Sequence, residues 1–238
     1  MTAEDTTLHA TDAVFAAEQA MGRALRVVDD LHTTINSALR VLDDAELDSA
    51  KARLTDRGDF YLDTAAEHIA RLQTRVGDLP HQSDELYGYL TLASASLTEA
   101  HNLLNETDAS DPELARDVAQ LKTRIAVVSE MVSLAQPLAR LATRHVDGAR
   151  HACQQVTPAT LLDSVTLERS IVTAGKELGR ADEDVRLLEE VVDHSAANAR
   201  QATGIACEIS DNARRRMAEH GRAPAPTAAA PAAGAPTR

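Results

Sequence analysis

Histidines that lie close to acidic residues are the first places to look for chemistry in this sequence. Asp29 and His32 are three residues apart, and Glu190 and His194 are four apart, so on a helix each pair would share a face. A di-iron site in a helical bundle needs Glu-x-x-His on two helices and two further glutamates. Glu-x-x-His does not occur in this sequence. We therefore interpret both pairs as solvated surface contacts, and we expect no metal and no cofactor.

A second histidine pair, His145 and His151, flanks Asp147. A spacing of six residues places the two rings on different faces of a helix, so they cannot bind one ion together. We expect them to lie near a helix C-terminus, where cationic groups interact favourably with the helix dipole.

His101 is the one residue that suggests group transfer. The segment Ala100-His101-Asn102-Leu103-Leu104 resembles part of the phosphotransfer-domain pattern Ala-His-x-Leu-Lys-Gly, in which a helical histidine accepts a phosphoryl group. Leu104 occupies the position of the lysine and Asn105 that of the glycine. Nothing there would help to neutralise a phosphate. A phosphorelay role is therefore only an alternative.

The same alternative includes a small-molecule pocket among aromatic side chains, which make up only 2% of the chain. The residues considered for that pocket are Phe60, Tyr61, Tyr87 and Tyr89. The sequence has no P-loop, no Gly-x-Ser-x-Gly elbow and no dinucleotide fingerprint. We therefore expect a protein that is not an enzyme.

The charge balance limits the possible partners. The 238 residues include 24 Lys and Arg against 37 Asp and Glu, which gives a formal charge of −13. Such a field repels phosphate backbones and anionic lipid surfaces, so we expect no nucleic-acid partner. No apolar stretch approaches the roughly 18 residues of a membrane span, so we expect no stable membrane insertion. A membrane-active pore former is the least favoured function.

The chain ends and the cysteines bear on location. The acidic N-terminus resembles no secretory or transit signal, so we expect a cytoplasmic protein, and the excess of arginine over lysine suggests a bacterial source. Cys153 and Cys207 are far apart and belong to no Cys-x-x-Cys pair. We expect both to be reduced and partly buried.

Apolar residues recur at steps of three and four through most of the chain, which predicts an all-α, elongated bundle of about five long amphipathic helices with coiled-coil-like seams. The predicted helices are 11–43, 46–76, 83–106, 111–155 and 158–218, and Pro137 should kink the fourth. Residues 43–46 could be a turn or part of one continuous helix. Residues 1–10 are predicted to be flexible and the Ala/Pro-rich residues 221–238 to be a disordered tail.

The function favoured by this pattern is that of a structural or protein-interaction protein, a scaffold or adaptor that acts through helix pairing with a protein partner or with itself. The predicted interaction seam comes from the fourth and fifth helices and comprises Val128, Val132, Ala135, Ala139, Ala142, Val185, Val192, Ala199, Ala202 and Ala206. A second predicted docking site, for an acidic partner, is the basic cluster Arg214, Arg215 and Arg216. The sequence leaves the identity of the partner and the oligomeric state open.

Overall fold

The computed structural model describes residues 3–107, 112–156 and 164–220, and α-helices account for nearly all of them. The helices are α1 (Ala3–Leu54), α2 (Gly58–Gly77), α3 (Leu79–Glu106), α4 (Pro112–Gln154) and α5 (Ser164–His220). The predicted all-α bundle of long helices is confirmed. The predicted tail, residues 221–238, lies outside the described residues.

Four antiparallel rods form the bundle, because α2 and α3 together make one broken rod. α1 packs on α5 and on both α2 and α3, while α4 packs on α5 and on the α2–α3 rod. Contacts along α1 run in the opposite direction along α5: Thr11 reaches Ala206, and Arg53 reaches Glu168. At 1.5 Å per residue, the 57 residues of α5 extend about 86 Å. The elongated shape follows from these lengths.

α1 is one continuous helix, so of the two alternatives for residues 43–46 the structure shows the continuous helix, and the predicted boundaries 11–43 and 46–76 are replaced by Ala3–Leu54 and Gly58–Gly77. The buried positions of its seven-residue repeat pass through the polar segment without interruption, at Leu42, Ala45 and Ser49. Asp43, Asp44 and Glu46 lie on the exposed side. Because these acidic side chains remain in solvent while the seam stays buried, nothing forces the chain to turn there.

The flexible N-terminus predicted for residues 1–10 is wrong for the part that the structure describes. α1 begins at Ala3, and Thr6, Thr7 and Ala10 are buried. Thr7 and Ala10 precede Val14 and Ala17 by seven residues, so they extend the same seam. The described part of this segment, residues 3–10, is therefore helical and belongs to α1.

The turn between α1 and α2 lies at Thr55, Asp56 and Arg57 rather than at residues 43–46. The Thr55 hydroxyl donates a hydrogen bond to the Lys51 carbonyl oxygen over 3.1 Å, which satisfies one of the last carbonyl groups of α1. A Cβ atom at Gly58 would lie 3.0 Å from the carbonyl oxygen of Ala52. Glycine therefore permits the close approach of α2 to the end of α1.

The break between α2 and α3 is a single residue, Asp78, whose backbone still has helical dihedral angles (φ −86°, ψ −18°). The predicted helices end at residue 76 and begin again at residue 83. Pro80 lacks an N–H donor but fits the first turn of a helix, so α3 starts at Leu79. The buried seam crosses the break in register, with Val76 and Ser83 seven residues apart. α2 and α3 thus bury one continuous stripe.

α4 is unbroken through Pro137, and its end points differ by one residue from the predicted 111–155. Pro137 lies on the exposed side of the helix, where solvent can hydrate the carbonyl group that loses its partner. α5 is described from Ser164, so the predicted start of this helix at residue 158 lies outside the described residues.

The glycine at the α1–α2 turn gives a test of this packing. Gly58→Ala should lower the free energy of unfolding by about 1 kcal/mol, because the new methyl group meets a backbone oxygen that cannot move away cheaply. Gly204→Ala, at an exposed helical position with nothing within 4 Å, is the matched control and should raise it by roughly 0.5–1 kcal/mol. Urea unfolding measures both. Stabilisation by both substitutions would contradict the tight turn.

Candidate functional site

The most elaborate polar cluster of the bundle joins α4 to the middle of α5 through His145. Its Nδ1 atom lies 2.8 Å from an oxygen of Glu177, and its Nε2 atom lies 3.6 Å from Asp184. The imidazole and both carboxylates are about one-fifth to one-quarter exposed. We predicted a helix-dipole role for His145, which the structure corrects: the ring lies between two carboxylates of α5.

His32 makes the equivalent contacts between α1 and α5. Its Nδ1 atom is 3.1 Å from Glu189 and its Nε2 atom 3.6 Å from Asp182. The predicted surface pair with Asp29 is therefore replaced by contacts to α5. Two carboxylates seven residues apart thus hold one histidine on each side of α5.

Heptad positions explain both clusters. If the buried residues of each helix occupy positions a and d, His32, Asp182 and Glu189 all fall at position e, and His145, Glu177 and Asp184 all fall at position g. In antiparallel neighbours, e lies opposite e and g opposite g. Positions e and g, which flank the buried seams, could have predicted these contacts from the sequence once the order of the helices was known.

These histidines do not form a metal site. A metal ion requires its ligands to converge, whereas the two carboxylates of each cluster lie on opposite nitrogens of the ring. Within the described residues, no group of three or more His, Cys, Asp or Glu side chains could hold a metal ion. The clusters therefore join helices rather than bind an ion.

Of the other histidines, His68 of α2 lies 3.5 Å from Asp48 of α1, whereas His151 and His194 contact residues four positions away in sequence. His194 bonds to the backbone oxygen of Glu190 through Nδ1 at 2.7 Å, which is an exposed contact within one helix, as predicted for this pair. His151 lies 3.3 Å from Gln155. His101 is exposed on α3, and Leu104, which follows it by three residues, is buried. None of these contacts gives His101 a phosphate-binding environment.

The aromatic side chains do not converge on one pocket. Phe60 and Tyr61 pack edge to face in the first turn of α2, and Phe60 is exposed. Tyr87 of α3 faces Arg140 of α4, with the guanidinium carbon 5.1 Å from the ring centroid, while Tyr89 faces Arg23 of α1. The predicted shared pocket is therefore not formed.

Open grooves line the surface between α1 and α5. One, of about 400 Å³, is acidic and includes Asp29, Glu189 and Asp193. Partial burial, and then the neighbouring carboxylates of Glu189 and Asp30, raise the pKa of Asp29 above its usual range. A second groove, of about 420 Å³, carries Arg23, Arg26 and Arg200. Both grooves lie open to solvent and are formed by the outer surfaces of the two helices.

The predicted interaction seam is used inside the chain. Its members from α4 and α5 are at most 4% exposed: Val128, Val132, Ala135, Ala139, Ala142, Val185, Val192, Ala199, Ala202 and Ala206. α4 and α5 pack extensively on each other. A partner could reach these side chains only if the helices separated, so a pairing surface for another molecule has to lie elsewhere on the bundle.

The predicted basic docking cluster lies near the end of α5. Arg214 forms an exposed ion pair with Asp211 at 3.5 Å, and Arg215 is exposed. Arg216 belongs to the same turn of the helix. Asp211 thus already contacts this cluster. Binding of an acidic partner by the cluster stays a prediction.

A low-charge surface lies where α3 and α4 face solvent. Residues 86–98 of α3 contain no charged side chain, and residues 125–142 of α4 contain only Glu130 and Arg140, although 26% of the chain is charged. The contact between Tyr87 and Arg140 places these two stretches side by side in the antiparallel pair. We call this surface the α3–α4 outer face.

Exposed members of the α3–α4 outer face are mainly apolar or small. On α3 they are Gly88, Thr91, Leu92, Ala95 and Thr98, and on α4 they are Ala126, Glu130, Ser133, Leu134, Pro137, Arg140 and Leu141. Leu134 is 56% exposed, Leu92 49% and Leu141 40%. Other exposed leucines, such as Leu187 of α5, lie among charged neighbours. By the same heptad positions, Leu134 and Leu141 border this face on the α5 side and Leu92 borders it on the α1 side. Exposed apolar surface with few charges is typical of docking sites.

The apolar, low-charge composition of α4, together with its length, makes this helix a candidate membrane span. Its most apolar 18-residue window has a mean hydropathy of 1.3, and 33% of that window is buried in the bundle. A core helix of a bundle passes the same test, so this observation is weak evidence for a membrane.

The two cysteines differ in exposure: Cys153 is buried and Cys207 is exposed, so the prediction of partial burial is wrong for Cys207. Burial raises the pKa of the Cys153 thiol to about 11. Only the thiolate reacts with alkylating reagents.

At about pH 8, iodoacetamide should therefore modify one thiol of the native protein, and Cys207→Ser should abolish that reaction. Mass spectrometry would show it, and labelling of native Cys207→Ser protein would contradict the burial of Cys153.

His145 gives a test of the contacts between α4 and α5. His145→Leu should lower the free energy of unfolding by about 1–3 kcal/mol, because Asp184 would remain partly buried without its partner. Glu177 would keep its ion pair with Arg180 but lose its contact with His145. His151→Leu, at an exposed position, should change it by less than about 0.5 kcal/mol. Chemical denaturation measures both values. Equal effects of the two substitutions would show that the His145 cluster does not stabilise the bundle.

No protein-family model, no curated protein and no solved structure matches this chain, so its function has to follow from the geometry of its surface.

Proposed function

We propose that this protein is a non-enzymatic interaction protein, a cytoplasmic scaffold or adaptor, that binds a protein partner through the α3–α4 outer face. The observation that carries the proposal is the charge distribution: one face of an otherwise highly charged bundle has only Glu130 and Arg140 over 18 residues of α4. A partner surface that is also apolar and carries few charges would displace water from Leu134, Leu141 and Leu92. Few charged groups would lose their hydration in that contact.

Burial of the seams within the chain supports a docking site on the outside of the bundle. Because the seam residues of α4 and α5 are covered within the chain, the bundle is a closed unit that can present its outside without unfolding. Rigid helices also keep the exposed side chains in a fixed arrangement, which lowers the entropy lost on binding. The acidic net charge of −13 disfavours nucleic acid as the partner.

A membrane is the competing ligand for the same face, because α4 has the length and composition of a span. Glu130 and Arg140 disfavour insertion into hydrocarbon, since a charged group would need a charged partner there. A phosphorelay or small-molecule role has less support, because the aromatic rings face different helices.

Site-specific photo-cross-linking tests the proposal. A photoreactive amino acid at position 134 should give a discrete protein adduct in the cells that produce this protein, because Leu134 is the most exposed leucine of the low-charge stretch of α4. The same amino acid at position 47, which is 55% exposed on α1, is the matched control and should give no adduct.

Mass spectrometry of the adduct identifies what was bound. A lipid adduct at position 134 would favour the membrane function, and equal labelling from positions 134 and 47 would contradict a docking role for this face.

A further inference from the structure

We infer that the occupant of the α3–α4 outer face is a second copy of this chain, placed by a two-fold axis near the level of Ala135 so that Glu130 of each copy meets Arg140 of the other. This inference rests on the proposed function and names its partner. Charge balance, symmetry and contact area each support it.

The first argument is electrostatic. Two copies that each carry a charge of −13 repel one another, and the repulsion is smallest where the facing surfaces hold the fewest acidic groups. Glu130 is the only acidic residue in residues 125–142 of α4, and residues 86–98 of α3 contain none. The α3–α4 outer face is therefore a surface through which copies can approach with little repulsion.

The second argument is the symmetry of the two charges. Glu130 and Arg140 are each five residues from Ala135. They lie about 15 Å apart along α4, too far to pair with each other within one helix. A two-fold axis at the level of Ala135 reverses the direction of α4, so Glu130 of one copy comes opposite Arg140 of the other, and two equivalent pairs form.

Both charged groups are available for such pairing. Glu130 is exposed and forms no ion pair within the described part of the chain. Arg140 donates to the Tyr87 hydroxyl and stacks on its ring, which orients the guanidinium group at the edge of the face and leaves other N–H donors unused. Leu134 and Pro137 lie between the two charges and supply the apolar centre of the contact.

The third argument is the size of the face. Two adjacent helices of about 10 Å width, over 18 residues of about 1.5 Å rise, offer roughly 500 Å² from each copy. The total of about 1,000 Å² is at the lower limit for a specific protein interface. We therefore expect a dimer that dissociates on dilution.

Charge reversal tests the register of the dimer. Sedimentation velocity of the full chain over a range of concentrations gives the dissociation constant. Glu130→Arg and Arg140→Glu should each raise it at least about tenfold, because each places like charges opposite one another at two symmetric positions. The double variant Glu130→Arg/Arg140→Glu should restore it to within about threefold, since the pairs re-form with opposite polarity.

Two further variants separate a loss of contact from a loss of fold. Leu134→Lys should weaken the dimer at least about tenfold, and Leu47→Lys, at an equally exposed site on α1, should leave it unchanged. Circular dichroism and urea unfolding should show native helices in every variant. Dimerisation that is insensitive to Leu134→Lys would overturn the inference, and so would a double variant as weak as the single ones.

Other occupants give distinct outcomes. A wild-type chain that is monomeric at concentrations up to about 100 μM, while position 134 cross-links to a different protein, would overturn this inference and leave the proposed function intact. A monomer that dimerises only when residues 221–238 are removed would assign the face to that segment instead. A monomer without any protein adduct at position 134 would contradict both proposals.

Discussion

Burial of a seven-residue repeat is the constraint on which the rest of this structure depends. In α1 the buried side chains run without a gap from Thr7 to Ser49, and in the α2–α3 rod they cross the break at Asp78 in the same register. A stripe of this kind on one helix can be removed from water only by other helices that carry similar stripes. Four rods of matching length satisfy that requirement together, so the bundle closes on itself.

Small side chains in the seams set how closely the rods approach. Alanines such as Ala17, Ala24 and Ala199 fill positions that leucine or isoleucine occupies elsewhere in the repeat. Gly175 lets a methyl group of Leu42 approach to 3.0 Å from the place where a Cβ atom would stand. Close helix packing of this kind compensates in part for the small apolar area that each alanine buries.

Polar residues beside the seams determine which helices become neighbours. The clusters around His32 and His145 place carboxylates of α5 between α1 on one side and α4 on the other. Their contacts also favour antiparallel directions, because e meets e and g meets g only in that arrangement. Buried apolar residues could tolerate several arrangements of four helices, whereas these charged contacts are satisfied in one.

With the seams covered, the outer surface has to carry any binding function, and its charge is unevenly distributed. α1 and α5 expose many acidic and basic residues, which form the open grooves at Asp29 and at Arg23. The α3–α4 outer face has almost none. A protein with a net charge of −13 remains separated from most other acidic surfaces and can still offer one low-charge surface to a partner.

The sequence by itself determined the helical fold and most of the core, because the spacing of Val, Leu, Ile and Ala predicts which face of each helix leaves water, wherever the neighbours are. It could not locate the first turn: Asp43, Asp44 and Glu46 look like a turn locally, but the seam through Ala45 keeps the helix continuous. Local turn preferences are weaker than the burial of a long stripe, so such boundaries depend on packing.

Only the tertiary structure decided what the seams and the flanking charges contact. A heptad repeat has the same sequence whether its partner lies within the chain or in another molecule, so the seam of Val132 and Val192 was equally compatible with both until their burial was seen. The partners of His32 and His145 depend on residues more than 30 positions away in sequence, which only the order of the helices brings together. The low-charge stretches of α3 and α4 were likewise visible one by one, but their alignment into one exposed face required the antiparallel pairing of the two helices, because helix direction and neighbour choice are properties of the packed bundle.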